Sequence, residues 1–335
     1  MKTDRVTVEK LLNFCHVEDV DGAIKLLTQV IDNPWNYYRS RIILTRGKRR
    51  HLTIPTDEFK YLLTTVFQPV LSKVSVHKTC HAYRPKMSGW KVAKFHIKPV
   101  DGWHEDLKDF YMHVSKDLMA QELNKVVNNK QSKLYGWDCD DLLSMFVLDR
   151  GIGLPQGSPV SPALSNIVGY EMDEELYNLA IENQAGYTRW SDNLIFSSRV
   201  NRKVRENMLH RVRDIIKSYG FQINYKKYHR IGKNRRNLVL GYVVNDKINL
   251  PRERRKKIRA MVHNYTVGNS HIDTTLAMIR GHLAWLSTAN PEEANKLKKK
   301  LNLSILSCQT NILDQVVFNT PICENTDDEF AHLCG

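Results

Sequence analysis

The sequence predicts an α+β fold, in which helices are combined with antiparallel hairpins. Apolar residues recur at helical spacing in several segments. In two further regions, tight-turn residues lie between strand-like segments, as they do in hairpins. Of the 335 residues, 42% are apolar, which is enough to build a real core. At about 150 residues per domain, this length indicates two domains, or one large mixed domain with an appendage.

The first quarter of the chain is predicted as helices, a hairpin and a further helix. Residues 7–32 contain two short helices, because their apolar residues fall at helical spacing. Residues 39–54 form a hairpin around a Gly-containing turn, and a helix covers 56–73. A stretch punctuated by Gly and Pro follows over 81–102, and we expect it to be largely irregular.

The middle of the chain continues the mixed pattern. Residues 118–127 and 140–148 have helical patterns, and three prolines then break regular structure before a helix over about 162–183. Residues 188–198 are predicted as a hairpin with a tight turn at 191–193.

The last third begins with a helix over 202–220, whose final glycine is typical of a helix C-terminus. Short strands are predicted near 221–223 and 238–244. From Pro251 onward the chain is predicted to be helical and basic.

The net charge of +14 is distributed unevenly. Residues 226–259 hold thirteen Lys and Arg against two acids, residues 38–50 hold six Lys and Arg and no acid, and the last 28 residues hold five acids and no Lys or Arg. Two basic clusters of this size favour a phosphate-bearing partner, with nucleic acid as the first class to test.

Composition also excludes several classes of protein. No apolar run approaches the roughly 18–20 residues that a membrane helix needs, and the N-terminus has no apolar signal-peptide core. The six cysteines are scattered without a C-x-x-C pair, which is typical of free thiols and argues against a zinc site or a disulfide frame. We therefore expect a cytoplasmic protein without a membrane partner.

Two aspartates and the segment between them are the first candidates for a site. Asp106 follows a plausible strand and Asp192 lies at a hairpin tip, although either one alone is more typical of a turn or a cap. Residues 154–166 contain three prolines, one glycine and several small side chains. Such a segment at the start of a helix is suited to cradling a flat or phosphorylated ligand.

A series of blocks resembles, in the right order, the motifs of bacterial reverse transcriptases of the retron and group II intron type, over roughly residues 39–301. The blocks are G-K-R-R-H-L-T-I-P and H-A-Y-R-P-K-M-S in the fingers, E-D-L-K-D-F-Y (motif A), L-P-Q-G-S-P-V-S-P-A-L-S-N (motif B), Y-T-R-W-S-D-N-L-I-F-S-S (motif C), G-F-Q-I-N-Y-K-K (motif D), N-L-V-L-G-Y-V-V (motif E) and I-R-G-H-L-A-W-L in the thumb. The resemblance implies a right-hand polymerase of fingers, palm and thumb, with an antiparallel palm sheet and a helical basic thumb.

The resemblance also implies a division of the chain. The regions are an N-terminal helical extension (1–38), fingers (39–102), a palm (103–249, with fingers elements near 128–150), a thumb (250–301) and an acidic C-terminal tail (302–335). No RNase H, maturase or endonuclease domain is expected after the thumb.

The implied activity is that of an RNA-directed DNA polymerase, which joins dNTPs to a primer 3′-hydroxyl by two-metal catalysis. Asp106 and Asp192 would bridge two Mg²⁺ ions, which Mn²⁺ could replace, and the Leu107 backbone carbonyl would help hold the nucleotide-side ion. Lys227 matches the motif D lysine that can protonate the pyrophosphate leaving group. The alternative for Lys227 is a solvated surface lysine.

The resemblance implies four nucleotide-binding residues. Arg50 matches a fingertip arginine that contacts the triphosphate, and Gln156 and Gly157 match a motif B pair near the base and ribose. Tyr111 matches an aromatic gate under the sugar, which leaves no room for a 2′-hydroxyl and selects deoxynucleotides. The alternative for Tyr111 is an ordinary core aromatic.

Nucleic-acid contacts are expected in three places. Arg84 lies in a fingers block, and Gly241 lies in the motif E primer grip. On the basic helix after Pro251, four residues share one face at i, i+3, i+4 and i+7, and we predict that this face follows a phosphate backbone. These residues are Arg252, Arg255, Lys256 and Arg259.

Two departures from the family pattern affect the predicted activity and subgroup. Motif C reads W-S-D-N where the family usually has Y-x-D-D, so Asn193 can offer one oxygen to a metal but no charge. The N-A-x-x-H block usual in retrons is absent from 93–104, and their V-T-G is replaced by V-L-G at 239–241. We therefore expect a relative in the broader bacterial set, which includes antiviral defence-associated enzymes, and not a retron proper.

Three functions remain open: an RNA-directed DNA polymerase, a catalytically weak or inactive RNA-binding scaffold, and a template-independent or protein-templated DNA polymerase. The expected partners are dNTPs and a structured non-coding RNA, an RNA template with a DNA primer, or both. A second reverse transcriptase, an effector protein or a homo-oligomer is also compatible with the sequence.

Overall fold

The computed structural model describes residues 1–45, 47–200, 204–269 and 274–302. It divides into two compact units, residues 1–248 and the chain from 249 onward. Almost all of the predicted acidic tail lies outside the described residues. Among the described cysteines, Cys15, Cys80 and Cys139 are free thiols.

The main sheet of the first unit is antiparallel and has five strands. These are β3 (Asp101–Lys108), β4 (Gly186–Trp190), β5 (Asn193–Ser198), β6 (Gln222–Ile223) and β7 (His229–Gly232). Strand β3 is central: β5 pairs with one edge, and β6 and β7 share the other edge. Strand β4 extends the sheet beyond β5. The predicted hairpin over 188–198 is confirmed as β4 and β5, whereas β7 was not predicted.

The burial of β3 explains its sequence. Six of its first seven residues are buried, so it lacks the clean polar–apolar alternation of a strand with one solvated face. Trp103 stacks on Phe196 of β5 with ring centroids 4.7 Å apart, and Tyr187 of β4 stacks on the same ring at 4.7 Å. The strand predicted before Asp106 is confirmed, and it continues two residues beyond that aspartate.

Two smaller hairpins complete the described β-structure of this unit. Strands β1 (Tyr38–Thr45) and β2 (Lys48–Pro55) pair in register as predicted for 39–54. The single strand predicted over 238–244 is wrong, because β8 (Leu238–Val239) and β9 (Tyr242–Val243) form a hairpin. Its two turn residues have φ values of 48° and 86°. The turn signal is weak because Leu occupies a position that usually holds Asn or Gly.

The helices of the first unit are α1 (Arg5–Phe14), α2 (Val20–Asp32), α3 (Asp57–Leu62), α4 (Gln68–Leu71), α5 (Gly89–Phe95), α6 (Lys116–Val127), α7 (Cys139–Phe146), α8 (Ser161–Ile167), α9 (Tyr170–Glu182) and α10 (Val204–Ser218). A π-helical turn joins α3 and α4, so the predicted helix over 56–73 is nearly continuous. Helix α5 lies in the stretch that was expected to be irregular. The single helix predicted over 162–183 is wrong, because the chain breaks between α8 and α9.

The second unit is helical in its described part. It contains α11 (Arg252–Thr266), α12 (Leu276–Ala289) and a helical segment over 291–302. Ile258 and Val262 form the buried face of α11, while its basic residues are mostly exposed. None of the helices in the described part of the chain has the length and apolar composition that crossing a membrane requires.

Candidate active site

The two aspartates that the sequence singles out lie beside each other at one end of β3. Asp106 is on β3, opposite Asn193 at the start of β5, and is 3% exposed. Asp192 is in the turn before β5, and its carbonyl accepts a hydrogen bond from the Leu107 N–H at 2.8 Å. Burial, and then the negative charge of Asp106, raise the pKa of the Asp192 carboxyl. The hairpin therefore brings two carboxylates together against their mutual repulsion.

Lys227 contacts Asp106 directly. Its Nζ donates to both carboxylate oxygens of Asp106, each at 2.9 Å. A 3-10 turn over Tyr225–Lys227 holds the lysine there, and the Asn224 N–H before it donates to the Asp106 carbonyl at 2.8 Å. Of the two neighbouring lysines, Lys227 is thus the one that contacts Asp106, and its catalytic role stays a prediction. One ammonium faces two carboxylates, which leaves an excess of negative charge.

The donor set fits Mg²⁺. Carboxylate oxygens are the hard ligands that Mg²⁺ prefers, and a divalent cation would relieve the repulsion between Asp106 and Asp192. Within the described ranges there is no group of three or more His, Cys, Asp or Glu side chains that could hold a metal ion. A two-carboxylate site of this kind suits Mg²⁺, which commonly takes few protein ligands and completes its shell with water and substrate phosphates.

The Asn193 side chain is fully engaged within the protein. Its Nδ2 donates to Asp192 Oδ1 at 2.8 Å and to the Trp190 carbonyl at 3.3 Å. Its Oδ1 lies 3.0 Å from His104 Nε2. The amide oxygen therefore faces His104, whereas the sequence analysis expected it to be available to a metal. Burial lowers the pKa of His104.

His104 was missed in the sequence analysis, although its position gave a signal. It lies two residues before Asp106, so in a strand both side chains are on the same face. Only the pairing of β3 with β5 shows that this face also includes Asn193.

The predicted motif B residues pack against the hairpin of β1 and β2. Gly157 has φ 144°, and a Cβ atom there would lie 2.9 Å from Ile54 Cγ1 and 3.0 Å from the Thr53 carbonyl, so only glycine fits. The Gln156 carbonyl accepts from the Thr53 N–H at 3.2 Å. Arg50 is exposed on the same strand, β2. The structure thus brings the motif B loop and the strand of Arg50 together.

Tyr111 lies next to both motif B and the Asp192 turn. Its carbonyl accepts from the Leu154 N–H at 2.9 Å, and its hydroxyl interacts with those of Tyr83 and Ser165. Burial, followed by the interaction with Tyr83, raises the pKa of Tyr111. Tyr83, which was also missed from sequence, donates to Ser191 Oγ at 3.2 Å.

A buried ion pair supports the Asp192 turn from behind. Arg189 of β4 and Asp173 of α9 are both 0% exposed, and the guanidinium donates to the carboxylate through Nε at 2.8 Å and Nη2 at 2.7 Å. Arg189 also donates at 3.3 Å to the carbonyls of Ser165, at the end of motif B, and of Ser191, next to Asp192. One side chain therefore ties α8, α9 and the motif C turn together. Arg189 belongs to the motif C block, but its structural role was not predicted from the sequence.

The predicted nucleic-acid contacts are spread over both units. In the first unit, Arg84 is half-buried and donates to the Cys80 carbonyl at 2.8 Å, and Gly241 is exposed in the β8–β9 turn. In the second unit, Arg255 and Arg259 form ion pairs with Glu293 at 3.0 and 3.1 Å, while Arg252 and Lys256 are exposed. Half of the predicted thumb face is thus engaged in packing α11 against the 291–302 segment.

Comparison with known families gives a consistent result. Residues 45–244 match the family described as reverse transcriptase (RNA-dependent DNA polymerase). The retron Mx65 reverse transcriptase of Myxococcus xanthus is 34% identical over 307 residues, covering 84% of this chain and 70% of that relative. The retron Ec86 reverse transcriptase of Escherichia coli is 26% identical over 280 residues, covering 82% of each. The resemblance to retron-like enzymes is confirmed, and the placement outside retrons proper stays a prediction.

Among solved structures, similar chains come from yeast telomerases. One is telomerase from Candida albicans in complex with a fragment of telomeric RNA, with a TM-score of 0.49 and 12% identity over 80% of this chain. Another is apo telomerase from Candida tropicalis, with a TM-score of 0.49 and 11% identity over 83% of this chain. This chain spans 56% and 57% of those two proteins' chains.

Proposed function

The chain belongs to the reverse transcriptase (RNA-dependent DNA polymerase) family, and from this premise we propose that Asp106 and Asp192 hold two divalent metal ions for DNA synthesis. The α+β fold with an antiparallel palm sheet, predicted from sequence, is confirmed by this membership and by the sheet around β3. The chain is an RNA-directed DNA polymerase, and thus a nucleotidyltransferase. The metal ligands, the other site residues and the biological role are our proposals.

The observation that carries the proposal is the pair of apposed carboxylates with Lys227 beside them. Metal ions bound to Asp106 and Asp192 would lower the pKa of the primer 3′-hydroxyl and stabilise charge on the departing pyrophosphate. The Leu107 carbonyl would add a further ligand, which is supported by the hydrogen bond of the Leu107 N–H to the Asp192 carbonyl. Lys227 would then give up its contact with Asp106 and donate a proton to the pyrophosphate.

The incoming nucleotide would lie between the motif B loop and β2. Arg50 would contact its triphosphate, and the Gln156–Gly157 backbone would pass close to the base and ribose. Tyr111 would exclude a 2′-hydroxyl. This arrangement is supported by the packing of Gly157 on β2 and by the contact of Tyr111 with motif B.

We propose that the partners are an RNA template with a DNA primer and a structured RNA bound through basic residues. These include Arg84, Arg252 and Lys256, with Gly241 at the primer strand. The departures from retron motifs support a role in bacterial antiviral defence in the cytoplasm. That role predicts that cells carrying the gene resist a phage, and that Asp106→Asn abolishes the resistance.

The metal assignment is tested by primer extension on an RNA template with dNTPs in Mg²⁺ and in Mn²⁺. Asp106→Asn and Asp192→Asn should each reduce synthesis at least about 100-fold, because each removes a charged ligand worth several kcal/mol in the transition state. Asp109→Asn is the matched control, since Asp109 is exposed and lies just beyond β3. RNA binding should be unchanged in all three variants.

Three other results would contradict parts of this proposal. Full activity of either aspartate variant would disprove the metal assignment. An inert wild type that still binds RNA would indicate the scaffold function. Products whose sequence is independent of the added template would indicate a template-independent or protein-templated polymerase.

A further inference from the structure

The hydrogen-bonding atoms around Asn193 allow only one orientation of its amide. The Asp192 carboxylate and the Trp190 carbonyl can only accept, so the amide atom 2.8 and 3.3 Å from them must be the nitrogen. The amide oxygen then faces His104 Nε2 at 3.0 Å. Because that oxygen can only accept, His104 must carry a hydrogen on Nε2.

Because of the strand register, the side chains of this arrangement lie in a row on one face of the sheet. His104 and Asp106 lie two residues apart on β3, and Asn193 is the partner of Asp106 across the β3–β5 pair. Glu105, between them, points to the opposite face, where it forms an ion pair with Arg213 at 2.8 Å. His104 is therefore connected to Asp192 through Asn193, by two consecutive hydrogen bonds.

We propose that His104 is a positioning residue, which holds the oxygen of the Asn193 amide so that Asn193 stays a hydrogen-bond donor to the metal-binding carboxylate of Asp192 and does not turn that oxygen to a metal. This inference rests on the proposed metal site. Hydrogen bonds from neighbouring groups commonly orient metal-ligating carboxylates. In this motif C, Asn193 therefore orients the Asp192 carboxylate. An aspartate at position 193 would instead add negative charge to the site.

Two substitutions of His104 separate the hydrogen bond from simple packing. His104→Phe keeps a ring of similar size but removes the donor, while His104→Gln keeps an N–H donor without the ring. In primer extension, we expect His104→Phe to lower kcat by about 10–100-fold with little change in KM for dNTP. His104→Gln should stay close to wild type. Equal losses in both variants would overturn the inference, because packing would then explain the effect.

Two measurements without turnover complete the test. In metal-free protein labelled with ¹⁵N-Asn, the Asn193 side-chain NH₂ signals, assigned through Asn193→Ser, should shift and exchange faster in His104→Phe but not in His104→Gln. Binding of Mn²⁺ alone, followed by EPR, should weaken in His104→Phe by about the same 10–100-fold. Unchanged amide signals and unchanged Mn²⁺ affinity in His104→Phe would overturn the inference.

Failure of this inference can be told apart from failure of the proposed metal site. If Asp106→Asn and Asp192→Asn stay active, the metal site itself is wrong. If they are inactive while His104→Phe leaves kcat, Mn²⁺ affinity and the Asn193 signals unchanged, only the role of His104 is wrong.

Discussion

The proposed role of Tyr111 depends on the size of its ring. Its ring lies beside motif B and the Asp192 turn, where a sugar would pass if the nucleotide binds as proposed. Tyr111→Ala should therefore raise ribonucleotide incorporation relative to deoxynucleotide incorporation. The ratio is measured in primer extension with competing rNTP and dNTP.

Tyr111→Phe is the matched control, because it keeps the ring and removes only the hydroxyl that interacts with Tyr83 and Ser165. Its sugar discrimination should equal that of the wild type. If Tyr111→Ala also leaves the ratio unchanged, Tyr111 is an ordinary core residue.

Single residues differ in how far the sequence could identify them. Asp106, Asp192 and Lys227 could be singled out because their motifs have distinctive neighbours, and the fold brings them together. The contact between the Asn193 amide and His104 could not be predicted, since it depends on which side chains of β3 share a face of the sheet with Asn193. A shift of one residue in that register would move His104 to the other face, and sequence spacing alone does not fix the register.

At the scale of secondary-structure elements, the Arg189–Asp173 pair predicts a large effect on stability. Both side chains are 0% exposed, so removing one charge leaves the other buried without a counter-charge. Asp173→Asn should lower the free energy of unfolding by about 3–5 kcal/mol. The measurement is urea denaturation followed by circular dichroism.

The matched control for Asp173→Asn is Glu171→Gln on the same helix. Glu171 pairs with Lys125, but the two side chains are 47% and 54% exposed. That variant should lose less than about 1 kcal/mol, because exposed ion pairs contribute little. Similar losses in the two variants would contradict the structural role of the buried pair.

The same ion pair explains why the helix predicted over 162–183 was wrong. A Cβ atom on Gly169 would lie 2.5 Å from Arg189 Nη2, so the chain passes the guanidinium closely at the break between α8 and α9. The apolar residues before and after the break keep helical spacing, so the local sequence does not predict it. The break comes from Arg189, which is twenty positions after Gly169 in the chain. Helix α5 shows the opposite error, since local Gly and Pro signals there hid a short helix that packs on the β8–β9 hairpin.

At the scale of the whole molecule, composition and motif order predicted most of the architecture. The mixture of helices with an antiparallel sheet is confirmed, and the break between the two units at residue 248 lies close to the predicted start of the thumb. The net charge predicted the class of partner, but it could not show which basic side chains are available to bind that partner. That depends on ion pairs between segments far apart in sequence, as Glu293 shows by engaging two of the four arginines and lysines on the predicted thumb face.

This division of the α11 cations leads to a prediction about RNA binding. Arg252 and Lys256 are exposed, whereas Arg255 and Arg259 hold Glu293. The double variant Arg252→Gln/Lys256→Gln should bind RNA more weakly at low salt with an unchanged melting temperature. The plot of log K against log salt should become less steep by about 0.7–0.9 for each phosphate that the variant no longer neutralises, because fewer counterions are released.

The double variant Arg255→Gln/Arg259→Gln serves as the comparison, since it removes the same charge from the same helix. It should lower the melting temperature, because Glu293 loses both of its ion-pair partners and is only 16% exposed. Its salt slope should change less than that of Arg252→Gln/Lys256→Gln, because its cations are already neutralised within the protein. If the exposed pair can be removed without any change in slope, Arg252 and Lys256 are solvated and the RNA backbone is held elsewhere.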